Sequence, residues 1–417
     1  MEAITGQIQA LAKEADHVGR NQILNSLRDL QYSLESPMDL FMRLYNSHLQ
    51  LAITYVGIDT NIFGQLASGG NCSFTAVELA EKLGASSDLL GQETPPQVRR
   101  QPAIYSSNHI ERILRYLASI GYITNPAQNQ YGANKITHIL ASPIAKAGII
   151  HAFDTCGPAI QAVPSFLADH KYQDITSNSE TPFQKGHNTS LSTFKYLQGQ
   201  PKLFNGLQQV MTAFQSSAWL EGLGVLDREA QKLSLSQHRA AGEDEPPFFV
   251  DIGGGHGHQS LHILERYPHL SNRIILQDLP ETISHLPSTF RSSIRATAQS
   301  FFEPQPADMR GAKFFYLRRI LHDWPDEDCL KILAHLKDAM ADGRGESRIL
   351  IDEVVLPDMG APWQAFMQDL SMGILFGGKE RTRAEWEALV GKAGLSIAEV
   401  KIYSPTSCAG VIVVERT

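Results

Sequence analysis

The sequence predicts two parts of different class: an α/β half at residues 176–417, built on a mostly parallel sheet, and an α-helical, winged-helix-like half at residues 1–175. Three observations carry this. From residue 248 onward, short apolar runs alternate with helical patterns, and strands alternating with helices imply a parallel sheet covered on both faces. Gly253, Gly254, Gly255 and Gly257 follow the first of those runs at once. The N-terminal residues place apolar side chains at helical spacing and then show the outline of a short hairpin.

Composition excludes several classes. The chain has 417 residues, long enough for two domains, with 42% hydrophobic and 19% charged residues, as in an ordinary globular protein. A net charge of -8 leaves no footprint for a polyanion. Cys72, Cys156, Cys329 and Cys408 are scattered without a C-x-x-C pair, which argues against a disulfide framework or zinc site and for a reducing, cytoplasmic setting. The N-terminus lacks the basic and apolar regions of a signal peptide, and no apolar run approaches the roughly 20 residues that span a bilayer.

In chain order, residues 1–35 read as one or two amphipathic helices, and 41–66 as a largely apolar helix that needs a partner on most sides. Thr75 and Glu78 are spaced as a capping box for a helix over 75–83. A helix over 109–119 follows, then two short strands, 121–124 and 130–134. Helix, helix, hairpin outlines a winged helix, which raises DNA binding. Arg112 and Arg115 would suit phosphates, but Ile110, Ile113, Leu114, Leu117 and Ile120 fill that helix and the chain is acidic, so dimerisation is the favoured role. The proline-containing segment 91–108 reads as a solvated loop, 171–182 as a linker, and 233–245 as a second polar loop. Residues 183–197 and 201–219 are helical in pattern. Phe204, Met211, Phe214 and Trp219 share a face there, either as core or as the wall of an apolar pocket for a flat substrate.

The α/β half opens with a strand over 248–252, the glycine turn, an amphipathic helix, and a strand over 273–277 that ends in Asp278. Strand, glycine turn, helix, strand, acid is the first half of a nucleotide-binding, Rossmann-like unit. Glycines admit a ligand where a Cβ would collide, and a carboxylate suits a ribose diol. A dinucleotide fingerprint would place a third glycine where His258 stands, and no phosphate loop is present. The pattern therefore fits a phosphate-free adenosine ligand, S-adenosylmethionine being the usual one. Further strands are expected at 294–298, 313–317 and 348–354, helices at 326–339, 363–375 and 383–391, and closing strands at 397–403 and 410–415.

His322 follows the fourth strand of this half, at the sheet edge where ligands of such sheets bind. Glu353 closes the fifth strand, and Glu380 sits in a glycine-bent turn. A carboxylate on one imidazole nitrogen leaves the other free as a base, so one His with two Glu is a general-base constellation, and no metal set accompanies it.

Five motifs in order, Val-Asp-Ile-Gly-Gly-Gly-His-Gly, Gln-Asp-Leu-Pro, Tyr-Leu-Arg-Arg-Ile-Leu-His-Asp-Trp, Ile-Asp-Glu-Val-Val-Leu-Pro and Gly-Gly-Lys-Glu-Arg-Thr, resemble those of small-molecule O-methyltransferases of the caffeic-acid type and their fungal secondary-metabolite relatives. They cover about residues 246–390; the N-terminal half resembles the family's dimerisation domain more loosely. The resemblance implies a class I methyltransferase domain, a homodimer, and S-adenosylmethionine as cofactor. It implies His322 as the base, Glu353 and Glu380 as its flanking acids, Gly253, Gly254 and Gly255 as the cofactor turn, and Asp278 as the ribose acid. Arg318 stands where plant enzymes have a Lys, and Ser300 and Phe301 where an Asp and an apolar residue are usual. Segment 91–108 exceeds the family's usual connection.

The expected function is methylation of a phenolic or enolic hydroxyl on a small aromatic or polyketide-like molecule. Phe204, Met211, Phe214, Phe366, Met367, Leu370 and Met372 would line the substrate pocket. Neither nucleic acid nor membrane is an expected partner. Two alternatives stay open: a pseudo-methyltransferase that binds the cofactor and guides a pericyclic step, against which the retention of His322, Glu353 and Glu380 speaks, and a winged-helix regulator.

Overall fold

The computed structural model describes residues 2–89, 107–212, 216–236, 245–286, 290, 292–342 and 346–417. The segment expected as a loop over 91–108 falls almost wholly outside these residues, as does Phe214. Most of the loop expected over 233–245 does too, but its first four residues close a helix, Gly224–Ser236. The described chain divides into two compact units, residues 24–158 with 197–214, and residues 1–23 with 159–196 and 215–417. Among the described residues no helix is long and apolar enough to cross a membrane, and all four cysteines are free thiols.

In the first unit, helix Pro37–Asp59 begins at a capping box in which Ser36 and Asp39 satisfy each other's backbone. Asn61, at φ 62°, then breaks the long apolar stretch and a separate helix, Ile62–Ser68, follows. The Thr75–Glu78 capping box is present, and its helix runs from Ala76 to Leu89. Helix Ser107–Ser119 packs with it around Leu66, Leu79, Leu114 and Leu117. Strands β1 (Ser73–Phe74), β2 (Thr124–Ala127) and β3 (Gln130–Gly132) pair antiparallel in the order β1-β3-β2. The first hairpin strand thus starts at Thr124 rather than at Gly121. Gly121, at φ 77°, takes the left-handed position that ends the helix, and the Tyr122 amide returns to Leu117 O at 2.9 Å.

The larger unit is a doubly wound sheet. Its strands are β4 (Phe249–Ile252), β5 (Ile274–Asp278), β6 (Ile294–Ala298), β7 (Phe314–Arg318), β8 (Arg348–Leu356), β9 (Arg381–Thr382), β10 (Leu395–Ser404) and β11 (Ala409–Arg416). The order is β10-β11-β8-β7-β4-β5-β6, with β9 beside β8. β4 to β8 run parallel, and the closing β10–β11 pair is antiparallel. From β4 the chain first builds outward through β5 and β6, then returns to lay β7 and β8 on the other side. That reversal opens a crevice at the carboxyl ends of β4 and β7. Helices cover both faces: Ile332, Leu333, Leu336, Trp386 and Leu389 pack on one, Leu226, Ile263 and Leu264 on the other.

Two helical expectations fail in detail. Residues 183–197 form two short helices, Pro182–His187 and Thr193–Gln198, because Asn188 adopts a left-handed conformation that closes the first. The helix begun at Pro201 is described only to Thr212, so Trp219 does not share its face. Ser216 Oγ captures the Ala218 amide at 3.1 Å and starts a separate turn, Ala218–Leu220. Trp219 is fully buried there, stacked 4.4 Å from Tyr316, with its indole N–H donated to Gln259 Oε1 at 2.6 Å. Trp219→Ala should therefore cost roughly 3–5 kcal/mol, the usual range for emptying a core aromatic site. A urea melt followed by circular dichroism checks this; an unshifted midpoint would contradict the packing.

Candidate active site

The crevice is furnished first by the glycine turn. Gly253 and Gly255 hold φ of 66° and 58°, the left-handed region that glycine enters without strain. A Cβ on Gly254 would lie 2.5 Å from Asp251 Cγ and from Leu276 Cδ1, so no side chain fits. The turn is tied to β5, since the Gly255 amide donates to Asp278 Oδ2 at 2.8 Å. Asp278 Oδ1 accepts the Leu279 amide at 2.8 Å, and both oxygens keep a lone pair for another donor. Beneath the turn, Asp251 accepts a hydrogen bond from Ser260 Oγ at 2.8 Å, and burial lifts its carboxyl to about 6.

Phe301 and the turn after β7 border the glycines. A Cβ on Gly253 would sit 2.7 Å from Ile320 Cδ1 and 3.6 Å from Phe301 Cε1. Ser300 Oγ accepts the Phe302 amide at 3.3 Å, which shapes that loop and leaves the hydroxyl proton to donate. Arg318 is held at the end of β7 by the fully buried Asp352, Nη1 to Oδ2 at 2.7 Å. Asp352 also accepts the hydroxyls of Tyr316 at 2.6 Å and Tyr403 at 2.8 Å.

His322 lies in a single 3₁₀ turn, Leu321–Asp323. Arg319 leads into it at φ 54°, a conformation unfavourable for a long side chain. The turn is caught by Glu353 Oε1, which accepts the amides of Ile320 and Leu321 at 2.9 Å and of His322 at 3.4 Å. On the ring, Nδ1 lies 2.8 Å from Glu380 Oε1 and 3.6 Å from Glu353 Oε2. Nε2 makes only a long approach, 3.5 Å, to Asp323 Oδ1. Glu380 is aimed by its own amide, which donates to Asp369 Oδ1 at 2.9 Å on helix Trp363–Phe376. Arg319 Nη1 stands 3.6 Å from Glu380 Oε1. His322, Glu353 and Glu380 are all buried. Their donor atoms lie within 4.8 Å of one another, compact enough for a cation, yet the 2.8 Å approach is that of a direct imidazole–carboxylate hydrogen bond.

Burial by itself would lower the imidazole pKa, but the negative charges of Glu353, Asp323 and Glu380 outweigh it and bring His322 up to about 9. Asp323 is likewise raised from its usual range, to about 7, chiefly by burial. Glu353 is also raised, again by burial first. The acids around the ring thus favour its protonated form.

The structure brings together His322, Glu353, Glu380, Gly253–Gly255, Asp278, Ser300, Phe301 and Arg318 at one sheet edge. The expected pocket residues are divided between the units. Phe204 and Met211 lie on helix Pro201–Thr212, and Phe366, Met367, Leu370 and Met372 on helix Trp363–Phe376. Met211, Phe366, Met367 and Leu370 are exposed, a poor core stripe. Sequence reasoning missed Asp323, Arg319, Asp352 and Asp369. Asp323 and Arg319 carried a signal in the Arg-Ile-Leu-His-Asp run beside the base, and Asp352 in the Ile-Asp-Glu run beside Glu353; Asp369 carried none.

A family model for the O-methyltransferase domain matches residues 180–396. The chain belongs to the O-methyltransferase family. This O-methyltransferase is 37% identical over 416 residues to demethylsterigmatocystin 6-O-methyltransferase of Aspergillus parasiticus, covering 100% of the chain and 98% of that protein. Among solved structures it is similar to LepI in complex with SAM, at 34% identity and TM-score 0.83, over 100% of this chain and 98% of that one. It is equally similar to a structure described as a pericyclic reaction enzyme, at 34% identity and TM-score 0.83, over 100% and 99% of the two chains.

A His raised from 6.5 to about 9 stabilises the fold fully below the lower value and loses that contribution as pH climbs through the higher. His322→Asn should therefore melt well below the wild type at pH 6.5, and the gap should narrow by pH 9.5. Scanning calorimetry of both ligand-free proteins across that window makes the comparison. A gap independent of pH would show that His322 carries no extra proton.

Proposed function

We propose that the enzyme moves the methyl of S-adenosylmethionine to a phenolic or enolic hydroxyl of a small aromatic or polyketide-like secondary metabolite, with His322 as general base. One observation carries the reading. The imidazole is anchored through Nδ1 to buried Glu380, Nε2 has only the 3.5 Å approach of Asp323, and Ile320 of the same loop borders the glycine turn. Full-length similarity to a named 6-O-methyltransferase supports it.

When bound, the cofactor supplies an electrophilic methyl on a sulfonium. The glycine turn leaves room for its backbone-close part, and Asp278 offers lone pairs to the ribose diol. Ser300 donates a neutral hydrogen bond where a carboxylate is usual, and Phe301 gives an apolar face. Arg318 borders the same pocket. A phenol with pKa near 10 is mostly neutral in the cell. His322 takes its proton on Nε2, and the resulting imidazolium is held by Glu380 and Glu353. Such a base contributes on the order of 10²–10⁴-fold. Exposed Phe366, Met367 and Leu370, with Met372 on the same helix, would supply the apolar wall for a flat ring. The four free thiols support a reducing, cytoplasmic setting.

A second reading, cofactor binding with a guided pericyclic step, is favoured by the likeness to the pericyclic reaction enzyme. Both are tested together. His322→Ala should keep cofactor affinity within a few-fold by calorimetry but lose about 10²-fold or more in methyl transfer at pH 7, regaining part of it toward pH 10. Wild-type kcat/KM should rise with pH from 7 and level near 9, where the ring gives up its proton. A variant with an unchanged neutral rate would remove His322 from the chemistry. A wild type that binds the cofactor yet methylates nothing in a broad panel of phenols would favour the pericyclic step.

We also propose that residues 1–175 form the dimerisation domain, with methyl transfer carried by 176–417. Helices His17–Leu34 and Pro37–Asp59 expose Leu27, Leu30, Phe41, Leu44 and Tyr45, and a groove of about 590 Å³ runs between them. An apolar face of this kind fits a second copy across a two-fold axis. Light scattering at micromolar concentration should give twice the 46.1 kDa chain mass; a monomer would overturn the assignment.

A further inference from the structure

One buried charge next to the candidate site has no part in the chemistry described so far. Arg381 follows Glu380 directly, opens β9, and is fully buried. A guanidinium that cannot reach water must place its donors inside the protein, and their targets are informative. Nε and Nη2 both reach Asp326 Oδ1, at 3.1 and 2.7 Å. Nη1 donates to the carbonyl of Leu321 at 3.1 Å, and Nη2 to that of Trp324 at 3.2 Å. The flat cation lies 5.1 Å over the ring of Trp386, whose indole N–H is fixed on Val354 O at 3.1 Å.

Leu321 and Trp324 bracket His322 and Asp323. The carbonyls on both sides of the candidate base are therefore held by one side chain. The amides of the same turn are held by another, since Glu353 Oε1 takes those of Ile320, Leu321 and His322. An anion grips the N–H groups and a cation grips the C=O groups of one short loop. A third constraint closes the remaining side. Gly378 lies so near the turn that a Cβ there would sit 1.9 Å from His322 O.

We infer that Arg381 is a positioning residue for methyl transfer: by clamping the Leu321 and Trp324 carbonyls it fixes the turn that presents His322 to the substrate hydroxyl. The inference rests on the reading of His322 as the base. Its physical need is clear. A 3₁₀ turn of three residues has few and poorly aligned hydrogen bonds of its own, and it is entered through Arg319 in an unfavourable conformation. Left to itself such a turn would drift, whereas proton transfer needs the ring placed to about 0.5 Å. Charge-assisted bonds from a rigid fork supply that placement. An ammonium cannot do the same, because it is a point charge on a flexible stem and cannot match three fixed acceptors. Asp326 neutralises the cation locally, so the clamp acts by geometry while the three carboxylates around the ring keep their influence.

A residue that merely supports the fold would behave differently, which the experiment uses. Arg381→Lys keeps the charge and loses the fork. With far-ultraviolet dichroism unchanged and S-adenosylhomocysteine bound within a few-fold by calorimetry, kcat for methyl transfer should fall 10- to 100-fold at nearly constant KM. The inflection of kcat/KM near pH 9 should move to lower pH, as the ring drifts from Glu380 and Glu353. Should Arg381→Lys fail to fold, Asp326→Asn carries the test, because it loosens the fork from a partly exposed position. It should lower kcat and shift the inflection in the same direction, by less. A folded Arg381→Lys, or failing that Asp326→Asn, that keeps both kcat and the inflection overturns the inference. So does a loss of kcat matched by an equal loss of cofactor affinity, which marks general loosening. If His322→Ala retains the neutral rate, the base reading itself has failed; if His322→Ala loses activity and Arg381→Lys does not, only the clamp has failed.

Discussion

One carboxylate oxygen organises the centre of the larger unit. Glu353 Oε1 stands at the end of β8 and receives successive amides from the turn after β7. β8 is itself fixed on both edges, parallel to β7 and antiparallel to β11, so the oxygen inherits the rigidity of the sheet. It passes that rigidity to a loop that could not hold itself. Each amide also offsets part of the cost of keeping a carboxylate dry, which is why an acid can be buried there at all.

The charges around the ring follow from that placement. Three carboxyl groups converge on one imidazole in a nearly dry pocket, with the guanidinium of Arg319 beside Glu380. Like charges at such distances cannot all be ionised without a cation among them. The imidazole is the adaptable member, since it can hold or release a proton near neutral pH. The acids thus favour the charged ring, and it acts as a base in its neutral form.

Much of this was legible in the sequence, for identifiable reasons. The central parallel strands are buried on both faces and read as short, mostly apolar runs, such as Phe314–Leu317 and, broken only by Asp251, Phe249–Ile252. The glycine turn and the Thr382–Glu385 capping box are local and announce themselves. What could not be read depends on contacts between distant segments. Nothing in the sequence says that Asp278 would hold the Gly255 amide, or that Asp352 would gather Tyr316, Arg318 and Tyr403. Periodicity also runs on where no glycine or proline interrupts it, so Trp219 matches a stripe that it does not join; Ser216, too weak a signal alone, starts its turn. Asn188 misled for the same reason, since only its left-handed backbone reveals the break.

β8 has a consequence beyond the site. Asp352 and Glu353 are neighbours, and a strand turns neighbouring side chains to opposite faces. Asp352 serves the tyrosine and arginine network on one side of the sheet, and Glu353 serves the histidine turn on the other. Two ionic assemblies with no shared atoms are therefore indexed to a single strand, like two gears on one shaft. A one-residue insertion ahead of this pair would reverse both at once and leave each acid facing the other's partners. The strand can exchange its aliphatic side chains for others of similar volume, but its length cannot vary without dismantling both assemblies together.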